Sequence, residues 1–304
     1  MPLVLSTSWN ASRVKNAKKL IFEIKALGFN QVELSFNLSS KMVKDIRELV
    51  RNKEIKVTSL HNFCPVPAGI GRLKALPDYY SISSLDEKIR KKALAAAKIT
   101  IDSAKELAAR AVVLHCGRVE IVDQTRKLIA LYSSGKKQSQ AFIRLKKNAV
   151  NERAALAKPF FEQAIKSLDE LNTYACKKNI LLGVETRFYI REIPSFTEIA
   201  LILNKFRDSN IFYWHDTGHA QLMQNLGIAK HEDFLKLYAS RMIGVHLHNI
   251  IGCLDHQAPL KGNFDFRLLL PYLKKDTLRV IEAHHQASGQ DLIEGKQFLE
   301  KLFQ

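Results

Sequence analysis

The sequence predicts a closed (β/α)8 barrel, and three observations carry that expectation. Eight short apolar runs recur along the 304 residues, helix-like stretches lie between them, and no shift in composition divides the chain. No GxGxxG or GxxxxGKS/T motif follows the first run, which weakens an open nucleotide-binding sheet as the alternative. The reading is therefore one barrel domain over residues 1–304.

Taken in order, the first strand is expected at 3–9 (LVLSTSW), before a helix over 13–27 that places Leu20, Ile24 and Leu27 on one face and stops at Gly28. A strand at 31–36 (QVELSF), a helix over 40–52 and a strand at 56–61 (KVTSLH) repeat the unit. After a long connection, 62–85, come a helix over 86–109 and a strand at 111–116 (AVVLHC). A second long and basic connection runs from 117 to about 152, and a helix over 153–178 then ends at Asn179. Strands at 181–186 (LLGVET), 211–216 (IFYWHD), 242–248 (MIGVHLH) and 279–284 (RVIEAH) complete the eight, with helices over 195–206 and 231–239 between them. Long loops after barrel strands cover the face that carries chemistry.

A hydrophobic share of 46% allows a sizeable core, and no apolar run approaches a membrane span. The N-terminus enters a strand without a basic segment and a long apolar core, so no signal peptide is expected. Cys64, Cys116, Cys176 and Cys253 form no CxxC pair and point to a reduced, cytoplasmic setting. The formal charge of +17 admits two readings, a phosphate-bearing partner or lysines on solvated helix faces, and its spread along the chain favours the second. The densest stretch, from Arg118 to Lys158, holds ten Lys or Arg against Glu120, Asp123 and Glu152.

Along a parallel barrel strand, alternate residues point to the axis. Val245 and Leu247 suit the helix side, so His246 and His248 point inward; the same rule places Ser59, His61, His115, Glu185, Trp214, Asp216 and Glu282 inside. Six strands thus end in an inward His, Asp or Glu at the C-terminal edge, where barrel enzymes carry their chemistry. Nine of the ten histidines lie at or just past strand ends, His231 being the exception. Buried carboxylates need compensation, which a metal ion supplies. His219 follows Asp216 by one turn, with Gly218 expected to bend the backbone over the site, and Asp255 and His256 occupy a loop that can fold back across it.

The motifs VET (184–186), HDTGH (215–219), GVHLHN (244–249), DHQAPLKG (255–262) and VIEAH (280–284) resemble the xylose isomerase-like TIM-barrel superfamily, from Leu3 to about Leu302. That group includes sugar isomerases and epimerases and the endonuclease IV type of apurinic-site nuclease. The epimerase resemblance implies one divalent metal, manganese or a similar ion, on Glu185, Asp216, His246 and Glu282, with Glu185 and Glu282 as the acid–base pair. The nuclease resemblance adds His61, His115, His219 and His256 for up to three zinc ions. Four departures count against an apurinic nuclease: NFCPVP after His61, TRFYIREIP after Glu185, Leu254 with Asp255 one step out of register, and Leu260-Lys261-Gly262 in place of Gly-Glu-Gly.

The resemblance implies isomerisation or epimerisation of a sugar, sugar phosphate or related polyol through an enediolate, with one to three Mn or Zn ions. The alternative is metal-assisted phosphodiester hydrolysis, with nucleic acid as a disfavoured partner. A metal-binding subunit without catalysis ranks third, because inward acid–base carboxylates suit a reaction. Arg118 and Arg187 are candidate ligands of a substrate phosphate, and His248 and Asp255 further substrate contacts. No membrane partner is expected, and the sequence leaves the oligomeric state open.

Overall fold

The computed structural model describes residues 2–304. In chain order its strands are β1 (Val4–Ser6), β2 (Gln31–Leu34), β3 (Lys56–His61), β4 (Ala111–Leu114), β5 (Leu181–Glu185), β6 (Ile211–Asp216) and β7 (Met242–Leu247), then β8 (Asn249–Ile251), β9 (Leu254–Gln257) and β10 (Leu278–Ile281). Seven of these close with β10 into a parallel barrel of eight, in which β10 lies between β7 and β1. The remaining two, β8 and β9, pair antiparallel as a separate hairpin above the barrel rim.

The helices are α1 (Ala17–Ala26), α2 (Ser40–Arg51), α3 (Glu87–Glu106), α4 (Thr125–Ser133), α5 (Gln140–Lys178), α6 (Phe196–Lys205), α7 (Thr217–Asn225), α8 (His231–Tyr238) and α9 (Gly289–Leu302). Side-chain caps set where several begin: Ser39 accepts from Met42 N–H, Ser139 from Phe142 N–H, and Ser195 and Ser288 each form a reciprocal capping box. The left-handed Asn179 (φ 56°) terminates α5 as the sequence suggests.

Three expectations are corrected. The first strand ends at Ser6 rather than Trp9, because Thr7–Trp9 turn into a 3-10 helix and Trp9 Nε1 donates to the Ala287 carbonyl at 2.8 Å. The last ends at Ile281, leaving Glu282 and His284 on the loop beyond it. The basic connection is largely helical: α4 and the first turns of α5, a helix of 39 residues, replace a loop. Within it Arg153 is buried and forks onto Glu198 at 2.6 and 2.5 Å, so that charge is structural.

The apolar residues form two cores. The larger lies between barrel and helices, where Val112, Leu114, Val245 and Leu247 face outward as the alternation predicts. The smaller fills the barrel itself with Val4, Ala111, Val113, Trp214, Ile243, Leu278 and Val280. Trp214 is its bulkiest member and fits because glycines flank it: a Cβ at Gly183 or Gly244 would stand 2.8 or 2.2 Å from the indole. This apolar plug is the floor on which the polar residues sit. No helix among the described residues is long and apolar enough to cross a membrane.

Candidate metal centre

Asp216 ends β6 and at the same time caps α7, its Oδ1 accepting the His219 N–H at 2.7 Å. The free amides and dipole of a helix start stabilise a carboxylate there. Neighbouring strand ends bring Glu185, His246 and Glu282 beside it, with one donor atom of each of the four within 4.8 Å of the others and every residue buried.

His246 stands at the centre of this group. Its Nδ1 lies 2.6 Å from Glu185, 2.9 Å from Glu282 and 3.6 Å from Asp216, while Nε2 faces Glu33 at 3.1 Å. Burial favours a neutral ring, but Glu282 and Glu33 beside it hold its pKa well above the ordinary histidine value. Burial likewise opposes charge on Glu185 and Asp216, yet His115 and His246 around the first and His219 and His248 around the second keep both well below the usual carboxylate range. Glu282 is lowered to about 2, because His246 more than offsets its burial. Four carboxylates meeting one imidazole in a buried site leave negative charge that a single proton does not balance. A divalent cation on Nδ1 and the three acids facing it would balance it, and this O/N donor set suits manganese or zinc.

Glu33, which the sequence reading missed, stands directly behind this group. It is fully buried on β2, takes the Ser59 hydroxyl at 2.8 Å, and accepts from His246 Nε2. That bond fixes the tautomer in which Nδ1 is free to ligate, the usual task of a carboxylate behind a metal-bound histidine. The alternation used for the other strands would have found it, since Val32 and Leu34 face the helices.

Two further donor groups adjoin the first and share residues with it. His61 and His115 gather on Glu185, and His219, His248 and His256 gather on Asp216. Burial and Arg187 oppose a charge on His115, but Asp78 on Nδ1 (3.3 Å) and Glu185 on Nε2 (2.8 Å) raise its pKa. The hairpin of β8 and β9 does fold back over the site. It places Asp255 2.8 Å from His256 Nδ1 and 3.7 Å from His219 Nε2 despite its shift in register. His256 adopts a left-handed φ of 53°, held by its N–H on His248 Nδ1 (2.9 Å) and its carbonyl on His284 N–H (3.1 Å). Its ring is stacked between those of His248 and His284, at 4.2 and 3.7 Å. Burial opposes protonation of His256, but Asp255 raises its pKa to about 9.

Several expected roles change. His248 is fully buried and bonds Asp216 through Nε2 at 2.9 Å, so it holds that carboxylate in place and does not line the cavity. Gly218 has an ordinary φ and does not bend the chain; it leaves room for the His248 ring, which a Cβ would meet at 2.1 Å. Arg187 is enclosed between Glu185 (2.5 Å) and Glu192 (3.0 Å), leaving its charge already matched. His215 points away from the axis, and His285 is exposed. Asp78 and Glu192, which no strand pattern marks, join His115 as a fourth donor group. Above these residues opens a cavity of about 400 Å³, lined among others by His61, His115, Arg118, Glu185, His219, Asp255, His256 and Glu282.

The model of the xylose isomerase-like TIM barrel family matches residues 21–302. No curated protein matches the chain by sequence. Among solved structures, a D-tagatose 3-epimerase-like protein superposes with a TM-score of 0.70 at 19% identity, covering 99% of this chain and 97% of the other. An L-ribulose 3-epimerase gives 0.70 at 14% identity, covering 100% and 95%. A D-allulose 3-epimerase from Methylomonas sp. in complex with D-allulose gives 0.64 at 15% identity, covering 100% and 97%.

Proposed function

The chain belongs to the xylose isomerase-like TIM barrel family, and on that premise we propose that it is a divalent-metal-dependent isomerase or epimerase of a ketose or related polyol. One observation carries the reading: two carboxylates, Glu185 and Glu282, share His246 Nδ1 at the cavity floor but differ in freedom. Both oxygens of Glu185 are engaged, Oε1 by His246 and Oε2 by His115 and Arg187. Glu282 bonds only through Oε2, which leaves Oε1 without a hydrogen-bond partner among the described residues.

A bound divalent ion would polarise the carbonyl and hydroxyl beside the reacting carbon and so acidify its proton. Glu282 Oε1 accepts that proton, giving an enediolate of the substrate. Glu185, which His115 and His246 hold as a carboxylate, takes the proton of the His115 Nε2–H on its Oε2 and passes it to the other face of the enediolate, while solvent reprotonates His115 and removes the proton from Glu282. Neighbours that bear the names of tagatose, ribulose and allulose epimerases support a small ketose as the substrate class.

The test is proton exchange. Metal-loaded protein is incubated with D-tagatose, L-ribulose or D-allulose in D2O and followed by NMR, with deuterium at the inverted carbon expected. Glu282→Gln and Glu185→Gln should each slow exchange by at least about a hundredfold with the circular dichroism unchanged. Absence of exchange with every ketose, at confirmed metal content, defeats the reading.

Phosphoester hydrolysis is the second reading, favoured by the sharing of Glu185 and Asp216 among adjacent donor groups, as a multinuclear centre requires. Two or three zinc ions per chain, with cleavage of an abasic-site duplex that His115→Ala removes, would select it.

A further inference from the structure

Whereas acids and histidines form the floor of the cavity, its rim is arginine. We infer that Arg118, Arg126 and Arg191 form a phosphate-binding subsite, so that the substrate is a phosphate monoester whose anionic end lies at the rim while its polyol end reaches the floor. This rests on the isomerase reading for the polyol end only.

The placement of these side chains is built, not incidental. The loops after β4 and β5 pair with each other, Val119 N–H donating to the Arg191 carbonyl at 2.8 Å and Ile193 N–H to that of Gly117 at 2.9 Å. A third loop clamps the pair, since Ser83 Oγ both accepts from Arg118 N–H (2.9 Å) and donates to the Arg118 carbonyl (2.8 Å). Gly117 makes the clamp fit: at a φ of +89° it packs so closely that a Cβ would meet Ser81 and Ser83 at 2.3 and 2.4 Å. Glu192 tightens the β5 loop by accepting the N–H groups of Phe188 (3.1 Å) and Tyr189 (2.8 Å).

Two of the three charges on this frame are unmatched, and the third is matched only loosely. Arg118 donates to the Asp78 carbonyl at 3.1 Å and Arg191 to that of Ile121 at 3.3 Å, and neither pairs with a carboxylate among the described residues. Arg191 Nε is buried without a partner. Arg126 bonds Tyr189 Oη at 3.1 Å and lies 5.6 Å over that ring, with Asp123 only at 3.6 Å. Of the carboxylates near the rim, Asp78 is taken by His115, Asp255 by His256 and Glu192 by Arg187, which leaves Asp123 facing Arg126. Guanidinium groups bind the oxygens of a phosphate dianion as bidentate forks, and three lining one cavity suit it better than a neutral sugar.

The experiment is calorimetric titration of the metal-loaded protein with D-allulose and D-allulose 6-phosphate, and with D-tagatose and its 6-phosphate. At least one ester should bind at least about tenfold tighter than its parent sugar, and Arg118→Gln with Arg191→Gln should abolish most of that preference. Arg126→Gln, at a side chain 77% exposed and so harmless to folding, should remove a smaller part. Equal affinity of ester and sugar in both pairs overturns the inference. So does a preference that survives the double substitution, which would put the phosphate on the floor, or equal affinity for a sugar carboxylate of matching length. Arginine-dependent ester binding without proton exchange upholds the subsite and defeats the isomerase reading instead.

Discussion

His215 and Asp216 are adjacent on one strand and face opposite sides of it, and the two sides use histidine differently. On the helix side, Tyr213 Oη donates to His215 Nδ1 (2.7 Å), His215 Nε2 meets His231 Nε2 (3.0 Å), and His231 Nδ1 donates to Gln221 (3.0 Å). Each ring donates once and accepts once, and burial lowers the His215 pKa to about 3 and pushes that of His231 well below its usual value. On the axis side His246 is just as buried, but carboxylates surround it and its pKa rises. Burial and ring–ring contact are common to both. What differs is acid density, and only the acid-rich side has a charge deficit that a cation could fill.

The sharpest way to break this comparison is Glu33→Gln, which keeps the shape behind His246 and removes its charge. Metal affinity should fall about 10- to 100-fold, as read by competition with a fluorescent chelator, whereas unchanged affinity would deny Glu33 any hold on the centre. A middle-sized effect is expected on the other side of the strand. His231→Ala leaves His215 Nε2 and Gln221 Oε1 without partners and should cost about 1–3 kcal/mol in urea unfolding, with metal stoichiometry unaltered; altered stoichiometry would join the two sides into one system. The smallest effect is a pH dependence. A histidine with a raised pKa stabilises the fold fully below its unfolded value of 6.5 and loses that contribution as pH rises through its folded value. For His256 that window runs from 6.5 to about 9, so the melting temperature of metal-free protein should decline by a few degrees across it. With metal on the ring there is no proton to lose, and the loaded protein should be flat over the same range.

The barrel was legible because its strands are short, apolar and regularly spaced, and because alternation on a parallel strand leaves little choice of face. That rule turns Glu185, Asp216, His246 and Glu282 toward one another, and a donor atom of each lies within 4.8 Å of the others. On β2 the same rule turns Glu33 inward between Val32 and Leu34, but no histidine marks that strand end. His215 counts among the strand-end histidines, although the alternation that turns Asp216 inward turns it outward. Asp78 and Glu192 lie on loops, and their position depends on loop-to-loop pairing that no periodicity records. The start of α5 was hidden for a different reason: its first turns are basic and largely exposed, so they carry little of the apolar stripe by which a helix is recognised.

The indole of Trp214, wedged over two glycines at the barrel floor, also faces the ring of His246 edge-on at 5.1 Å between centroids. The chain has two tryptophans, and the other, Trp9, is tied to the Ala287 carbonyl. A charged imidazolium beside an excited indole accepts its electron density and dims it, while a ring that has exchanged its proton for an ion does so differently. The molecule thus carries its own optical gauge of what occupies His246, readable in the ultraviolet emission of the unlabelled chain.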